Sequence, residues 1–265
     1  MTTAITPRVS IVLPVRNAAA TIDVALRSVF EQTLEDFECL VVDDGSTDGT
    51  ADRLSEWSDP RLRVLRQPHQ GLVPALRRGV AEVRAPYIAR LDADDAWEDR
   101  TKLAQQVAYL DEHPECVVVG TWFTAAYPDG STSLVRPPAD DRELKRNLLR
   151  SATLAHPTVV FRKAAYDAAG GYRDHFGTFA EDLDLWFRMG RNGAFHVLPI
   201  VGLRYAVHAS ARSQANSWRQ SLKVVAVGCE NLPHIRIYPD LPRGLLKQLR
   251  LLLMASAIWF RRVFG

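Results

Sequence analysis

Several features that would narrow the function at once are scarce or missing in this chain of 265 residues. The three cysteines, Cys39, Cys116 and Cys229, show no CxxC spacing and no paired histidines, which leaves neither a disulfide framework nor a zinc site of the usual spacing. They read as reduced, semi-buried thiols, pointing to a cytoplasmic chain. Lysine is rare, five residues in all, and the formal net charge is only +2, so a nucleic-acid binder driven by bulk electrostatics is disfavoured. The start, MTTAITPRVS, lacks the charged opening and long apolar run of a secretory signal, and export is not expected. No internal repeat or low-complexity linker is visible.

What is present is 47% apolar content, enough for one substantial core. Val9 to Val15, VSIVLPV, reads as a strand, and apolar residues at Ile22, Leu26, Val29 and Phe30 predict an amphipathic helix after it. The pattern repeats: strand Phe37 to Val42 and helix Thr50 to Trp57, then strand LRVLRQ and helix GLVPALRRGVAEV, then strand APYIARLD. Alternating units of this kind build a mostly parallel sheet flanked by helices, an α/β fold that binds ligands beyond the carboxyl ends of its strands. Further along, KLAQQVAYLDEHP predicts a helix and CVVVGTWFTAAY a strand that ends in the turn PDGS. A short helix follows near Leu144 to Leu149. HPTVVFRKAAYDAAGGY predicts a strand and a helix stopped by Gly170 and Gly171, and FAEDLDLWFRMG a helix with Glu181 and Asp182 in its first turn.

Two strand ends carry clustered acids. In YIARLDADDAW, three carboxylates, Asp92, Asp94 and Asp95, follow a buried strand, and like charges so close cost stability unless a cation or a set of donors offsets them. Carboxylates without cysteine or histidine partners favour a hard cation, Mg²⁺ or Mn²⁺, held partly by protein and partly by phosphate oxygens. A plainer explanation makes Asp92 and Asp94 solvated loop acids and Asp95 the cap of a helix starting near Trp97. In VVDDGSTDGT, Asp43 and Asp44 either accept hydrogen bonds from a nucleoside or belong to a turn in which Asp48 or Thr50 caps the next helix.

The order LPVRNAAATIDVALRSVFEQT, LVVDDGSTDGT, GLVPALRRGV, APYIARLDADD, HPTVVFRKAAYDAAGGY and AEDLDLWFRMGRNG resembles the family 2 glycosyltransferases, inverting enzymes of the GT-A fold, over roughly Val9 to Ser213. The resemblance implies a Rossmann-like sheet, a nucleoside-diphosphate sugar as donor, a UDP-sugar first among them, and Mn²⁺ or Mg²⁺ as cofactor. It assigns Pro14, Val15, Arg16, Asn17, Asp43, Asp44 and Gly71 to donor binding. Asp92 and Asp94 become the metal-binding DxD pair, with Asp94 the direct ligand, and His208 lies near the diphosphate or metal. Asp182 becomes the base that deprotonates an acceptor hydroxyl.

The resemblance also implies a glycan or lipid-linked acceptor in surface polysaccharide or glycolipid assembly, and no nucleic acid. A sugar-1-phosphate nucleotidyltransferase is the alternative enzyme, although LPVRNAAAT lacks a glycine-rich loop. A non-catalytic glycan-binding relative is the other alternative. His69 and Arg77 depart from the family pattern, which often has asparagine there. His156 and Pro157 are expected to shape the acceptor side as a structural turn. Of Trp97, Trp122 and Trp186, which could stack a sugar, Trp186 has helical spacing and is expected in the core.

The organisation expected is a GT-A domain over 1–215, with a nucleotide-sugar half at about 1–100 and an acceptor half at about 101–215, followed by a helical, amphipathic C-terminal extension over 216–265. The apolar run from Leu251 to Phe260 is too short to span a bilayer. Flanked by Lys247, Arg250, Arg261 and Arg262, it has the composition of a helix lying in a membrane interface. Peripheral contact with the inner face of the cell membrane, packing on the chain's own domain and oligomer formation are all compatible with it.

Overall fold

A computed structural model describes residues 6–149, 154–175, 180–207, 217–234 and 236–250. The first half follows the expected alternation. Strands β1 (Val9–Val15), β2 (Phe37–Asp44), β3 (Leu62–Gln67) and β4 (Tyr87–Arg90) pair in parallel in the order β3-β2-β1-β4. Every residue of β1 and β2 is buried, as near-continuous apolar runs covered on both faces require. Helices α1 (Ile22–Phe30), α2 (Thr50–Ser55) and α3 (Leu72–Ala81) connect them. Helix α2 stops two residues short of the expected Trp57, whose indole instead donates to Asp23.

Beyond β4 the sheet becomes mixed. Strand β8 (Val160–Arg162) runs antiparallel to β4, β6 (Cys116–Ala126) runs antiparallel to β8, and β9 (Ala194–Ala206) runs parallel to β6. The two-residue strand β5 (Ala96–Trp97) closes one edge against β9, and β7 (Thr132–Val135) pairs with β6 as a hairpin through the turn at Tyr127–Ser131. The sequence reading missed β5, β7 and β9. Trp97 therefore stands in a strand rather than opening a helix, and α4 (Lys102–Glu112) begins five residues later. Helix α5 occupies Asp141–Asn147, earlier than expected, because Asp140 caps it by accepting from the Glu143 amide at 3.0 Å.

Period-two alternation sorts the strands' side chains between two cores. Val9, Ile11, Leu13 and Val15 of β1 pack with α1 and α4, whereas Val12 packs with α3 and with α7 (Glu181–Met189). In β4, Ile88 belongs to the second core, so Arg90, two residues on, faces the same side, toward α7. Helix α7 is held by Leu185, Trp186 and Met189, all buried, and Trp186 donates its indole N–H to the Leu154 carbonyl at 3.2 Å, which confirms it as core. Truncating such a side chain costs about 3–5 kcal/mol.

Helix α8 (Ser217–Asn231), the helical residues 241–250 and Tyr238 between them add Val227, Tyr238, Leu241 and Leu245 to that second core. The Tyr238 hydroxyl donates to the Phe187 carbonyl at 2.6 Å, tying the C-terminal helices to α7. Cys39 and Cys116 are buried and Cys229 is exposed. Among the described residues no helix is long and apolar enough to cross a membrane. The run Leu251–Phe260 lies outside the described residues.

Candidate active site

The carboxyl ends of β2, β1 and β4 lie side by side. Register pairs Val15 with Asp43 and Val12 with Arg90, so β1 separates the two acidic ends by roughly 10 Å, twice the inter-strand spacing. At the β2 end the carboxylates are enclosed. Asp44 is 4% exposed, and its two oxygens accept from Gln67 Nε2, the Gln70 amide and the Gly71 amide, each at 2.8 Å, with His69 Nδ1 at 2.7 Å. Burial would raise its pKa, but these four contacts outweigh burial and lower it. Asp43 accepts from the Ser46 amide at 2.9 Å.

Two glycines make this enclosure feasible. Gly45 has φ +72°, and a Cβ there would stand 2.7 Å from the His69 backbone nitrogen; Gly71, at φ +103°, starts α3 with its amide on Asp44. Asn17, at φ +54° just after β1, closes the other side: its Oδ1 accepts from the Thr47 amide at 2.8 Å and its own amide donates to Ser46 Oγ at 3.0 Å. Pro14 and Val15 are buried at the end of β1, while Arg16 and Asn17 are exposed. Asp44 thus organises the 67–71 loop, and a nucleoside N–H that reaches its Oδ2 takes the donor position of His69, the half-exposed member of the set. Arg77, by contrast, points outward from α3, on the side of Tyr166.

The β4 end differs. Arg90 is 1% exposed and donates Nη2 to Asp92 Oδ1 at 2.6 Å, yet its Nε and Nη1 are buried with no hydrogen-bond partner. Asp94 is exposed at the rim. Asp95 is 3% exposed; one oxygen accepts from the Ala206 amide at 2.8 Å and the other, Oδ2, is buried without a partner. Burial, then the charges of Asp92 and Asp94, push its pKa up to about 9. Asp95 is therefore no helix cap: it fastens β9 beside the acidic rim.

Asp182, in the first turn of α7, belongs to the same neighbourhood. Burial raises its pKa; the Leu183 amide and the Arg90 charge oppose this, and the Asp92 charge adds to it. Tyr205, on β9, has its hydroxyl pushed up to about 12 by burial and then by Asp95, Asp92, Asp94 and Asp182 together. The rim acids and Asp182 thus all lie within electrostatic range of Tyr205. Behind them, His156 Nε2 lies 2.7 Å from the Tyr172 hydroxyl, and burial together with the Arg90 charge takes His156 well below its ordinary pKa. His156 is a buried structural group here.

Trp97 donates to the Pro157 carbonyl at 3.2 Å and is 5% exposed, so it is packing rather than a sugar platform. Trp122 donates to the Pro137 carbonyl at 3.3 Å. The sequence reading overlooked Arg90, Tyr172 and Tyr205. Arg90 alone left a signal, a cation at an inward position of an otherwise apolar strand.

Among the described residues no group of three or more His, Cys, Asp or Glu side chains stands ready to hold a metal ion, and His208 lies outside the described residues. Asp92 is held by Arg90, and Asp94 is the exposed carboxylate of this rim. An all-oxygen, incomplete donor set whose acids outnumber the one buried arginine beside them fits a hard divalent ion whose remaining positions are filled by phosphate or water. A surface concavity lined by Asp23, Arg27, Arg53, Glu56 and Trp57 among others lies over α1 and α2 and includes none of these acids.

Comparison with known proteins bears on the family and the fold. The family described as Glycosyl transferase family 2 matches residues 10–169. A chondroitin synthase of Pasteurella multocida (strain Pm70) is 29% identical over 213 residues, 79% of this chain and 22% of that protein, so the chain spans about a fifth of the relative's length. Among solved structures, S. aureus TarS 1-349 in complex with UDP-GlcNAc superposes with a TM-score of 0.70 at 17% identity, covering 85% of this chain and 66% of TarS. The mannosyltransferase PcManGT from Pyrobaculum calidifontis, in complex with GDP-Man and Mn²⁺, gives a TM-score of 0.67 at 20% identity, covering 95% of this chain and 75% of that one. These likenesses establish a GT-A type fold.

Proposed function

This chain belongs to glycosyltransferase family 2, and from that membership we propose that it transfers a sugar from a nucleoside-diphosphate donor, a UDP-sugar foremost, to an acceptor hydroxyl with inversion at the anomeric carbon. The acceptor belongs to polysaccharide or glycolipid assembly, the class to which its relatives' names point. The observation that carries the reading is the single electrostatic neighbourhood shared by Asp92, Asp94, Asp95 and Asp182, which the field at Tyr205 reports. Neither a nucleotidyltransferase nor a non-catalytic role finds support in the comparisons.

In this reading, the end of β1 from Pro14 to Asn17, with Asp43, Asp44 and Gly71, receives the nucleoside. Asp44 accepts from the base once His69 has moved aside. Asp94, with His208 and the open side of Asp92, would hold Mn²⁺ or Mg²⁺. When bound, such an ion neutralises the departing diphosphate as a Lewis acid. Arg90 holds Asp92 in place and offsets part of the negative charge that otherwise repels an anionic donor. Asp182 takes the proton of the attacking hydroxyl, and its raised pKa brings it closer to the range where a base both exists ionised and accepts a proton effectively. The attacking oxygen approaches from the face opposite the leaving group, so one displacement inverts the centre.

Turnover of UDP-GlcNAc and GDP-mannose, the donors bound by the two structural neighbours, should be assayed with Mn²⁺, with Mg²⁺ and with a chelator. Asp182→Asn is expected to lower kcat by about 10²–10⁴ with the donor KM little changed. Asp94→Ala should abolish the metal-dependent rate while the fold survives. An unaltered rate in Asp94→Ala overturns the metal assignment, and an unaltered kcat in Asp182→Asn overturns the base.

A further inference from the structure

Charge is unevenly divided along this chain. Residues 217–265 carry eight lysines and arginines against two acids, a net of +6, which leaves 25 against 29, a net of −4, on residues 1–216. The two acids are both engaged: Glu230 pairs with Arg173 at 2.9 Å and Asp240 with Arg243 at 3.2 Å. Apolar exposure is concentrated in the same place. Of the seven large apolar side chains exposed among the described residues, four, Leu222, Leu232, Leu246 and Leu249, lie there, each between 41% and 51% exposed.

Over residues 241–250 the two properties are arranged as stripes on one helix. Leu241, Gly244 and Leu245 face the body, where Leu245 packs against Leu149 and Gly228 of α8. Leu246 and Leu249 face outward one turn apart, and Arg243 and Arg250, three before and four after Leu246, line the adjoining outward arc. The inward face is already satisfied by the second core, so that core leaves these leucines uncovered. The sequence then continues LLLMASAIWF to Arg261 and Arg262 with no acid to its end.

We infer that the outward face of the 241–250 helix docks on an anionic phospholipid bilayer, its leucines entering the headgroup boundary and its arginines meeting lipid phosphates. Leucines beside an arc in which cations outnumber the single acid, Asp240, suit an anionic bilayer rather than a protein core. Each base near such a surface contributes about fivefold in affinity. A second copy of the chain would bring the same cations together and is disfavoured by repulsion. The inference does not rest on the proposed transfer reaction.

The test is flotation of the full chain with vesicles of phosphatidylcholine mixed with phosphatidylglycerol, beside vesicles of phosphatidylcholine alone. The chain is expected to float with the mixed vesicles, to release in high salt, and to stay behind with the neutral ones. Arg243→Glu with Arg250→Glu should weaken binding at least about tenfold. Leu246→Ser with Leu249→Ser should do the same. All four residues are exposed, so circular dichroism should show the native fold in both variants. Equal flotation with both vesicle types, no flotation, or undiminished flotation of the leucine variant each overturns the inference. So does light scattering that shows a lipid-free dimer dissociated by the leucine substitutions, since that assigns the face to a second copy.

Discussion

The acids after β2 and the acids after β4 occupy equivalent places, one strand apart, yet the chain treats them in opposite ways. Asp44 is surrounded by protein donors, four contacts on two oxygens, and its ionised form is favoured. Asp95 has one donor for two oxygens and two carboxylates nearby, and its ionised form is opposed. A carboxylate that the fold satisfies by itself is doing structural work first. Carboxylates left short of donors under mutual repulsion store an electrostatic cost that a cation relieves on arrival. The difference separates a prebuilt loop from a site that awaits a charged ligand.

If that contrast is real, removing a charge should have opposite signs at the two ends, and the larger effect belongs to the rim. An unfolded Asp titrates near pH 4, and Asp95 in the folded chain at about 9. Between those values the folded chain keeps a proton that the unfolded chain has released, so stability falls as pH rises. Asp95→Asn keeps an acceptor for the Ala206 amide and removes the titration. In metal-free protein it should be more stable than wild type by about 2–5 kcal/mol at pH 8 and indistinguishable from it below pH 4. Urea unfolding across that range, with chelator present, measures both ends; a gap that does not open with pH breaks the contrast.

At the β2 end the sign reverses. A lowered pKa means that Asp44 stabilises the fold above pH 4 and loses that contribution as pH falls through its folded value. Asp44→Ala leaves the amides of Gln70 and Gly71 without their acceptor and should cost about 2 kcal/mol at pH 7, shrinking in acid. Mn²⁺ should raise the melting temperature of this variant as much as that of wild type, because the loop is not the ion's seat. A stabilising Asp44→Ala would mean that this carboxylate, too, is held against its preference.

How much of this was legible in the sequence follows from what kind of information each feature needs. The β1 to β4 half was readable because its strands are buried apolar runs and its helices carry 3.6-residue periodicity, both local signals. Strand β9 was not: it alternates buried and half-exposed residues and owes its place to β6, whose paired residues lie about 80 positions earlier. The acids could be located, since they end strands, but not told apart, because satisfaction depends on donors such as Gln67 and Ala206 that no spacing reveals. Arg90 was visible as a misplaced cation, whereas its link to Asp92 and Asp182 required the face that alternation gives β4 to meet α7.

The smallest effect sharpens the contrast by isolating one of its two causes. At the rim, burial and repulsion between carboxylates both oppose charge, and Asp95 alone cannot apportion them. Lys102 shows burial without a like-charged neighbour: it is 0% exposed, donates Nζ to Gln106 Oε1 at 2.7 Å, and sits 4.2 Å from the Trp97 ring. Burial draws its pKa well below 10.5, with Asp99 opposing weakly. In the window below 10.5 the unfolded chain holds a proton that the folded chain lacks, so stability rises with pH there, the reverse of Asp95. Lys102→Met should abolish that rise. Above about pH 11, where the wild-type amine is largely neutral in both states, it should cost about 1 kcal/mol for the lost hydrogen bond. At pH 7 the change should be smaller, because the desolvated amine is removed as well. Since Lys102 lies behind Trp97 rather than at the rim, sugar transfer should stay within about twofold of wild type. A pH slope at Lys102 as steep as that at Asp95 would make burial sufficient for both, and the rim acids would no longer stand out as a place that calls for a cation.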